Sequence, residues 1–339
     1  MYNKQIIDIA PLGFQWETVD PFLFCVHHKD FYPAGNEALG PAASLAGRNL
    51  GQDFTVKDGW RMYHGEKVPG FPAHPHRGFE TVTIVLNGFV DHFDSHGASG
   101  RYGNGDVQWM TAGSGLQHAE MFPLLDPQNP NPLELFQIWL NLPKIKKFCK
   151  PHYKMLWAEE IPVHEEKDER GRSAVITVIA GTYREIEALE PPPDSWAHDP
   201  ENETAVWLIK LAPGCEWTIP EASSGISRRL YFYKGSQIQV AGVEMDSYHS
   251  ANLMADQPIT VQNGNENASL LLLQARPIAE SVVQYGPFVM NTQQEIREAF
   301  EDYKRTELGG WPWSNHAPVH SRETKRFARY ADGTEEHPS

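Results

Sequence analysis

Two stretches decide the fold of this chain, residues 71–83 (FPAHPHRGFETVT) and residues 105–120 (GDVQWMTAGSGLQHAE). Each stretch holds a pair of metal-binding side chains at positions i and i+2, namely His74 with His76 and His118 with Glu120. Side chains two residues apart on a β-strand point to the same side. Two such strands lying side by side would direct three imidazoles and one carboxylate into one cavity. That set of ligands suits a divalent first-row transition metal, so the pairs predict strands and a metal site together.

Short apolar or alternating runs separated by glycines surround these pairs. The runs cover residues 81–86, 107–111 and 133–140 in the first half, and 174–180, 204–211, 229–233, 237–240 and 270–274 in the second. Runs of this length and spacing are typical of antiparallel β-sandwiches and barrels. Asn104-Gly105-Asp106 predicts a hairpin corner. The sequence therefore predicts two β-rich units in tandem.

The pattern changes near the C-terminus, where Thr292 and Glu295 form a capping box at the start of a predicted helix. The apolar residues that follow recur at i, i+3, i+4 and i+7, and they are Ile296, Ala299, Phe300 and Tyr303. We expect Gly309-Gly310 to end the helix and the aromatic residues 311–313 to anchor it. The remaining residues to Ser339 are polar, and we expect a mobile tail.

Composition excludes several classes of function. The 339 residues carry a formal net charge of -15, from 29 Lys plus Arg against 44 Asp plus Glu, which disfavours direct nucleic-acid binding. The first residues lack the features of a secretory signal, and no apolar run is long enough to span a membrane, so we expect a cytoplasmic protein without membrane contact. The three cysteines are widely spaced, and we expect buried, reduced thiols.

The two stretches closely resemble motifs of the pirin family, a branch of the cupin superfamily. The resemblance continues in residues 137–142 (QIWLNL) and 284–292 (QYGPFVMNT). It implies an all-β fold of two tandem cupin-type antiparallel β-barrels, jelly-roll-like, plus a C-terminal amphipathic helix. The expected parts are a metal-binding barrel over 1–150 with a long insertion at 27–67, a metal-free barrel over 151–290, a helix and anchor over 291–313 that pack back on the first domain, and a polar tail over 314–339.

The same resemblance implies that the metal ligands are His74, His76, His118 and Glu120. It implies one divalent transition metal ion, usually Fe(II), although other first-row metals remain open. Glu80 has the spacing of a ligand in many other cupins, but pirins resemble this chain in carrying the carboxylate after the third histidine. We therefore expect Glu80 to be a supporting or structural carboxylate. We expect His92 and His96 to belong to a polar turn, with a role in lining the pocket as the alternative.

The resemblance leaves more than one function open. Some bacterial pirins resemble quercetin 2,3-dioxygenases, which implies a small phenolic substrate, O2, a proton taken up by Glu120, and ring opening with release of carbon monoxide. The alternative is a metal- or redox-responsive regulatory protein that binds a protein partner without turnover. A third possibility is a purely structural metal.

Overall fold

A computed structural model of the protein describes residues 4–339, which form two compact units. The first unit comprises residues 26–159 and 280–339, and the second comprises residues 4–25 and 160–279. These limits differ from the tandem division at residue 150 expected above, because residues 4–25 belong to the second unit and residues 280–339 belong to the first. A strand near the N-terminus supplies the reason, since residues 6–11 pair with residues 249–253 at the edge of a sheet in the second unit.

The strands, in chain order, are β1 (Ile6–Pro11), β2 (Gln15–Trp16), β3 (Phe22–Tyr32), β4 (Gly70–His76), β5 (Phe79–Asn87), β6 (Phe89–Asp94), β7 (Ser99–Gly103), β8 (Val107–Thr111), β9 (Leu116–Met121), β10 (Asn131–Asn141), β11 (His152–Leu156), β12 (Val163–Lys167), β13 (Ser173–Ala180), β14 (Thr182–Tyr183), β15 (Ile186–Glu187), β16 (Ala205–Leu211), β17 (Glu216–Ile219), β18 (Ser227–Lys234), β19 (Gln237–Val240), β20 (Val243–Asp246), β21 (His249–Met254), β22 (Ile259–Asn263), β23 (Ala268–Ala275), β24 (Val283–Tyr285), β25 (Phe288–Met290), β26 (Phe327–Arg329) and β27 (Glu335–Glu336). The α-helix is α1 (Gln293–Thr306), and short 3-10 helices lie at Lys144–Lys146, Trp196–His198, Pro200–Asn202 and Glu307–Gly309. The mostly β architecture predicted from the sequence is confirmed.

Two large sheets build most of the first unit, to which β24 and β25 add a two-stranded sheet. One has the strand order β27-β26-β7-β6-β9-β4, and the other contains β11-β8-β5-β10-β3. Every pairing described between these strands is antiparallel, as in β10 with β5 and in β4 with β9. Aromatic and aliphatic side chains form much of its core, including Tyr32, Tyr102 and Trp157.

The second unit is built in the same way but has an apolar interior. Its larger sheet runs β1-β21-β18-β23-β16-β13-β12, and its smaller sheet runs β17-β22-β19-β20. Alternate residues of the central strands, such as Leu230 and Phe232 on β18 and Leu270 and Leu272 on β23, are fully buried in one hydrophobic cluster. Burial of these side chains is the main stabilising term for this unit.

Helix α1 belongs to the first unit. The Thr292 hydroxyl accepts a hydrogen bond from the Glu295 amide, which confirms Thr292 as the predicted N-cap, and the Glu295 carboxylate accepts one from the amide of Asn291, one residue before the cap. Ile296 and Ala299 are buried beside Phe288 and Met290 of β25. The helix ends at Thr306, three residues before Gly309, because Glu307 and Leu308 adopt positive φ angles of 49°.

Two local expectations differ from the structure. Asn104-Gly105 turns the chain with φ angles of 52° and 110°, but it joins β7 and β8 of different sheets and is not a hairpin. The first residues of the expected insertion at 27–67 belong to β3, so the irregular segment covers residues 33–69. Alternation was hard to see in β3 because its polar residues are buried and paired, as Asp30 is with Arg61.

The C-terminal tail also differs from the mobile segment expected from its polarity. Residues 327–329 form β26, which pairs with β7. The buried guanidinium of Arg101 donates hydrogen bonds to the tail carbonyls of His320, Ser321 and Thr324. Polar residues therefore bind the tail through main-chain and ionic contacts, which a hydrophobicity pattern does not reveal. Within residues 4–339, no helix combines the length and the apolar character needed to cross a membrane.

Candidate metal centre

Adjacent antiparallel strands bring the two histidine-containing stretches together. His74 on β4 lies directly opposite His118 on β9, and Phe71 lies opposite Glu120. The register shifts between Phe71 and His74, so an extra residue on β4 is accommodated as in a β-bulge. Residues 118 and 120 consequently face the same side as His74, as strand alternation predicts.

The three histidines form a compact cluster in which one ring nitrogen of each lies within 4.8 Å of the others. The Nε2 atoms of His74 and His76 are 3.1 Å apart. Two imidazole nitrogens bound to one ion at about 2.1 Å, and at a right angle, would be about 3 Å apart. The spacing of these two nitrogens is therefore compatible with a single shared ion.

Hydrogen bonds to the opposite ring nitrogens indicate which tautomer each histidine adopts. Nδ1 of His74 is 2.9 Å from the carbonyl oxygen of Pro72, and Nδ1 of His76 is 3.3 Å from that of Pro287. A carbonyl only accepts, so each Nδ1 carries the proton and donates it. Both Nε2 atoms then present lone pairs to the same space, and no proton is available to join them. A cation between them would remove the repulsion.

His118 provides an independent test of whether these residues fit a metal ion. Its side chain is fully buried, and neither ring nitrogen has a hydrogen-bond partner within residues 4–339. A buried polar atom without a partner costs about 1–3 kcal/mol. A metal ion would satisfy one of these nitrogens, so the donor set fits the divalent ion that the sequence predicts.

Burial also sets the protonation state of the cluster. It lowers the pKa of His74 to about 4, and, with repulsion between the rings, it lowers the pKa values of His76 and His118 well below 6.5. The imidazoles are neutral at pH 7, which is the form that binds metals.

Glu120 lies beside the histidine cluster and is held by three donors. Its Oε2 atom is 3.9 Å from His118 Nε2 and accepts a hydrogen bond of 2.7 Å from Gln137. Its Oε1 atom accepts from the hydroxyls of Thr83 at 3.1 Å and Tyr102 at 3.4 Å. Burial raises the pKa of the Glu120 carboxyl, and these hydrogen bonds oppose the rise only in part.

The interiors of the two units differ in the way a functional site requires. The first unit buries Thr83, His92 and Glu120 beside the histidine cluster, whereas the buried polar side chains among residues 4–25 and 160–279 of the second unit, such as Arg228 and Gln274, which bond to each other, include no histidine or carboxylate. Between residues 174 and 284 the sequence has two histidines, His198 and His249, and no His-x-His pair. Because buried polar groups are costly, the concentration of metal-binding side chains in the first unit indicates where chemistry takes place.

The remaining sequence candidates have clear positions. Glu80 is fully buried and accepts a hydrogen bond of 2.6 Å from the Thr111 hydroxyl. His96 lies in a turn, as expected, but His92 does not. His92 lies on β6 opposite Glu120, its ring is 5.6 Å from that of His118, and it stacks on Tyr153.

Sequence reasoning therefore placed His92 near the pocket only as the alternative, and it missed the three donors to Glu120. Strand parity could have found His92, because Asp91-His92-Phe93-Asp94 alternates and would place residues 92 and 94 on one face. The partners Thr83 and Gln137 carry no comparable signal, since hydroxyls and amides are common on strands.

Two β-barrel units, one of them enclosing a histidine cluster, define the cupin class with two barrels in one chain, a bicupin. Family models match both halves. Residues 12–140 match the pirin domain, and residues 206–309 match the pirin C-terminal cupin domain. The chain belongs to the pirin family, which confirms the resemblance seen in its motifs.

Individual relatives agree with this assignment. A Pseudomonas aeruginosa protein named "Putative quercetin 2,3-dioxygenase" is 37% identical over 235 residues, covering 69% of this chain and 78% of that protein. Human pirin is 35% identical over 252 residues, covering 73% of this chain and 80% of human pirin. The crystal structure of a quercetin 2,3-dioxygenase from Acinetobacter baumannii superposes with a TM-score of 0.71 at 26% identity, covering 90% of this chain and 98% of that one.

Proposed function

We propose that this protein is an iron-dependent dioxygenase that opens the central ring of flavonol-type, quercetin-like phenols with release of carbon monoxide. The observation that carries the proposal is the convergence of the neutral His74, His76 and His118 imidazoles beside a buried carboxylate. The names of the Pseudomonas aeruginosa and Acinetobacter baumannii relatives support the substrate class.

In this proposal His74, His76, His118 and Glu120 hold one divalent ion, most simply Fe(II). Three neutral imidazoles and one carboxylate leave the site with a net positive charge near +1, which attracts a phenolate oxygen. When bound, the ion supplies Lewis acidity toward the phenolate and redox chemistry toward dioxygen.

Glu120 has the properties of a general base for the flavonol 3-hydroxyl group. Its raised pKa brings a carboxylate closer to the basicity needed to accept a phenolic proton. Gln137 and Thr83 donate hydrogen bonds to its two oxygens and so fix the orientation of the carboxylate. Any proton that Glu120 takes up therefore arrives at a side chain that is held in place.

Aromatic side chains limit the access of water to the histidines. The Trp139 ring lies 5.3 Å from that of His76, and the Phe79 ring lies 5.0 Å from it. On the side of the partly exposed His74, Phe71 is 6.3 Å away. A dry site strengthens the interaction between the phenolate and the cation, and it protects a reactive intermediate from hydrolysis.

The test uses protein reconstituted with Fe2+ and given quercetin under air, with carbon monoxide, oxygen consumption and loss of flavonol absorbance followed together. We expect turnover by the wild type and by His249→Ala, a histidine variant in the second unit. We expect none by His118→Ala when circular dichroism shows an intact fold. A wild type that binds Fe2+ but consumes neither quercetin nor oxygen would refute the dioxygenase proposal.

A second candidate function is metal-responsive regulation through a protein partner. One observation favours it, because Pro287, whose carbonyl accepts from His76, lies six residues before α1, whose outer face is exposed and charged. A pull-down comparing ferrous and ferric protein would test this function, and equal recovery of every bound protein from both forms would contradict it.

A further inference from the structure

One part of the first unit contacts the strand next to each of the three histidines. This part is the C-terminal segment, defined here as residues 287–316, which contains β25 and α1. Beside His74, the Ala73 amide donates a hydrogen bond of 2.7 Å to the carbonyl of His316. The register shift on β4 spans Ala73, and the C-terminal segment satisfies its amide.

The segment contacts His76 directly. The Pro287 carbonyl accepts from His76 Nδ1, and the Val289 amide donates 3.0 Å to the carbonyl of the next residue, Arg77. The buried ammonium of Lys147 links the segment to the chain that follows His76, since its Nζ donates to the carbonyls of Gly78 at 2.8 Å and Val289 at 3.2 Å. These bonds fix the tautomer of His76 and the position of its backbone.

The third histidine, His118, follows Gln117, whose side-chain amide forms hydrogen bonds to the C-terminal segment. Gln117 is 4% exposed, and its Nε2 donates to the carbonyls of Glu307 at 2.8 Å and Gly310 at 3.2 Å. Its Oε1 accepts from the Tyr303 hydroxyl at 3.1 Å. On the neighbouring strand, the indole of Trp313 donates 2.8 Å to the carbonyl of Asp94, the residue paired with His118.

These contacts matter because a metal site needs its ligands at defined separations. The β4–β9 ladder fixes His74 relative to His118, but it is irregular just before His74. Bonds from outside the ladder therefore control how the imidazoles are placed. In metal sites, groups that orient the ligands typically contribute 10–100-fold to metal affinity.

We propose that the C-terminal segment positions the three histidines for metal binding, that Gln117 is its principal positioning residue, and that ion binding and docking of the segment are coupled. This inference rests on the metal site of the proposed function and not on turnover. Coupling between two equilibria is reciprocal, so an ion that needs the docked segment must also stabilise its docking. Residues 310–316, which carry the contacts to Ala73 and Asp94, lie beyond the residues 206–309 matched by the family model.

The experiment compares Gln117→Met with Gln262→Met. Gln262 is the matched control, because its Nε2 also donates to main-chain carbonyls, those of Gly214 at 2.6 Å and Cys215 at 3.3 Å, but in the second unit. Fe2+ affinity is measured without oxygen by competition with a colorimetric chelator. Hydrogen exchange of residues 287–316 is measured with and without Fe2+, and unfolding is followed without metal.

We expect Gln117→Met to bind Fe2+ about 10-fold or more weakly and to lose the Fe2+-induced protection of the segment. Gln262→Met should lose stability but keep both metal properties. If Gln117→Met does not fold, Trp313→Phe removes a single indole hydrogen bond and should weaken Fe2+ binding in the same direction. This inference alone would be overturned if folded Gln117→Met bound Fe2+ with wild-type affinity. It would also be overturned if Fe2+ did not change the hydrogen exchange of residues 287–316 in the wild type. A wild type without stoichiometric Fe2+ would overturn the proposed function as well.

Discussion

Replacing Glu120 by Gln separates the chemistry of this carboxylate from its structural role. Glu120 accepts hydrogen bonds from the amide of Gln137 and from the hydroxyls of Thr83 and Tyr102. A Gln at this position can accept from Gln137 through its oxygen and donate through its NH2 group, because hydroxyls can rotate to accept. The neutral amide also removes the cost of burying a charge. We therefore expect the metal-free variant to unfold within about 1 kcal/mol of the wild type.

The same substitution should abolish most of the activity. Loss of a positioned general base costs about 10²–10⁴-fold in rate, or about 2.7–5.4 kcal/mol in transition-state free energy. Loss of the carboxylate as a ligand should also weaken Fe2+ binding by about 10-fold or more. The assay is the initial rate of quercetin loss and carbon monoxide release at saturating Fe2+, with urea unfolding of the metal-free proteins.

Glu80→Gln is the matched control. Glu80 is a buried glutamate on a strand of the same unit and accepts a hydrogen bond from Thr111. It should keep the activity and the Fe2+ affinity of the wild type. Our assignment of the carboxylate is refuted if Glu120→Gln turns over at a rate within twofold of the wild type, or if Glu80→Gln is the variant that loses metal.

Three other perturbations have defined outcomes. His118→Leu should stabilise the metal-free protein by about 1–3 kcal/mol, because it removes two buried nitrogens without partners, and it should eliminate stabilisation by Fe2+. A metal-free variant with a lower free energy of unfolding in urea than the wild type would contradict this. Burial lowers the pKa of His74 to about 4, so between about pH 6.5 and pH 4 the unfolded protein binds a proton at this residue that the folded protein does not. The free energy of unfolding of the metal-free protein should therefore fall as pH falls through that range. Measured by urea unfolding, the dependence of this free energy on pH should be weaker in His74→Leu than in the wild type. Lys147→Met should lower the free energy of unfolding in urea by about 3 kcal/mol, since it leaves the buried acceptors of Gly78, Asn141 and Val289 without this donor. The control is Lys144→Met, which should leave that free energy unchanged because the Lys144 side chain is 65% exposed.

The sequence predicts the features that follow from strand alternation and helix capping. His74 and His76 share one side of β4, and His118 and Glu120 share one side of β9, because i and i+2 positions point the same way, and no longer-range information is needed for that parity. The capping box at Thr292 is equally local. The core strands were recognisable because their apolar runs are short and separated by glycines.

What the sequence could not predict depends on contacts between distant residues. His92 resembled a turn residue because its polar neighbours are paired with groups far along the chain, as Asp91 is with Arg101 and the His320 amide. The tail looked mobile because its sequence is polar, but main-chain pairing and ion pairs such as that of Arg326 with the buried Asp106 hold it in place. Whether a segment belongs to the first or the second unit likewise depends on strand pairing at the edge of a sheet, as the pairing of β1 with β21 shows.

The central claim is that His74, His76 and His118, with Glu120, bind one ion. The most direct test is a crystal structure of protein loaded anaerobically with Fe2+, with diffraction recorded on both sides of the iron absorption edge. We predict one anomalous peak per chain within about 2.1 Å of a ring nitrogen from each histidine, and with Glu120 as the carboxylate ligand. An iron peak coordinated by Glu80 instead, or fully loaded crystals with no peak among the three imidazoles, would contradict it.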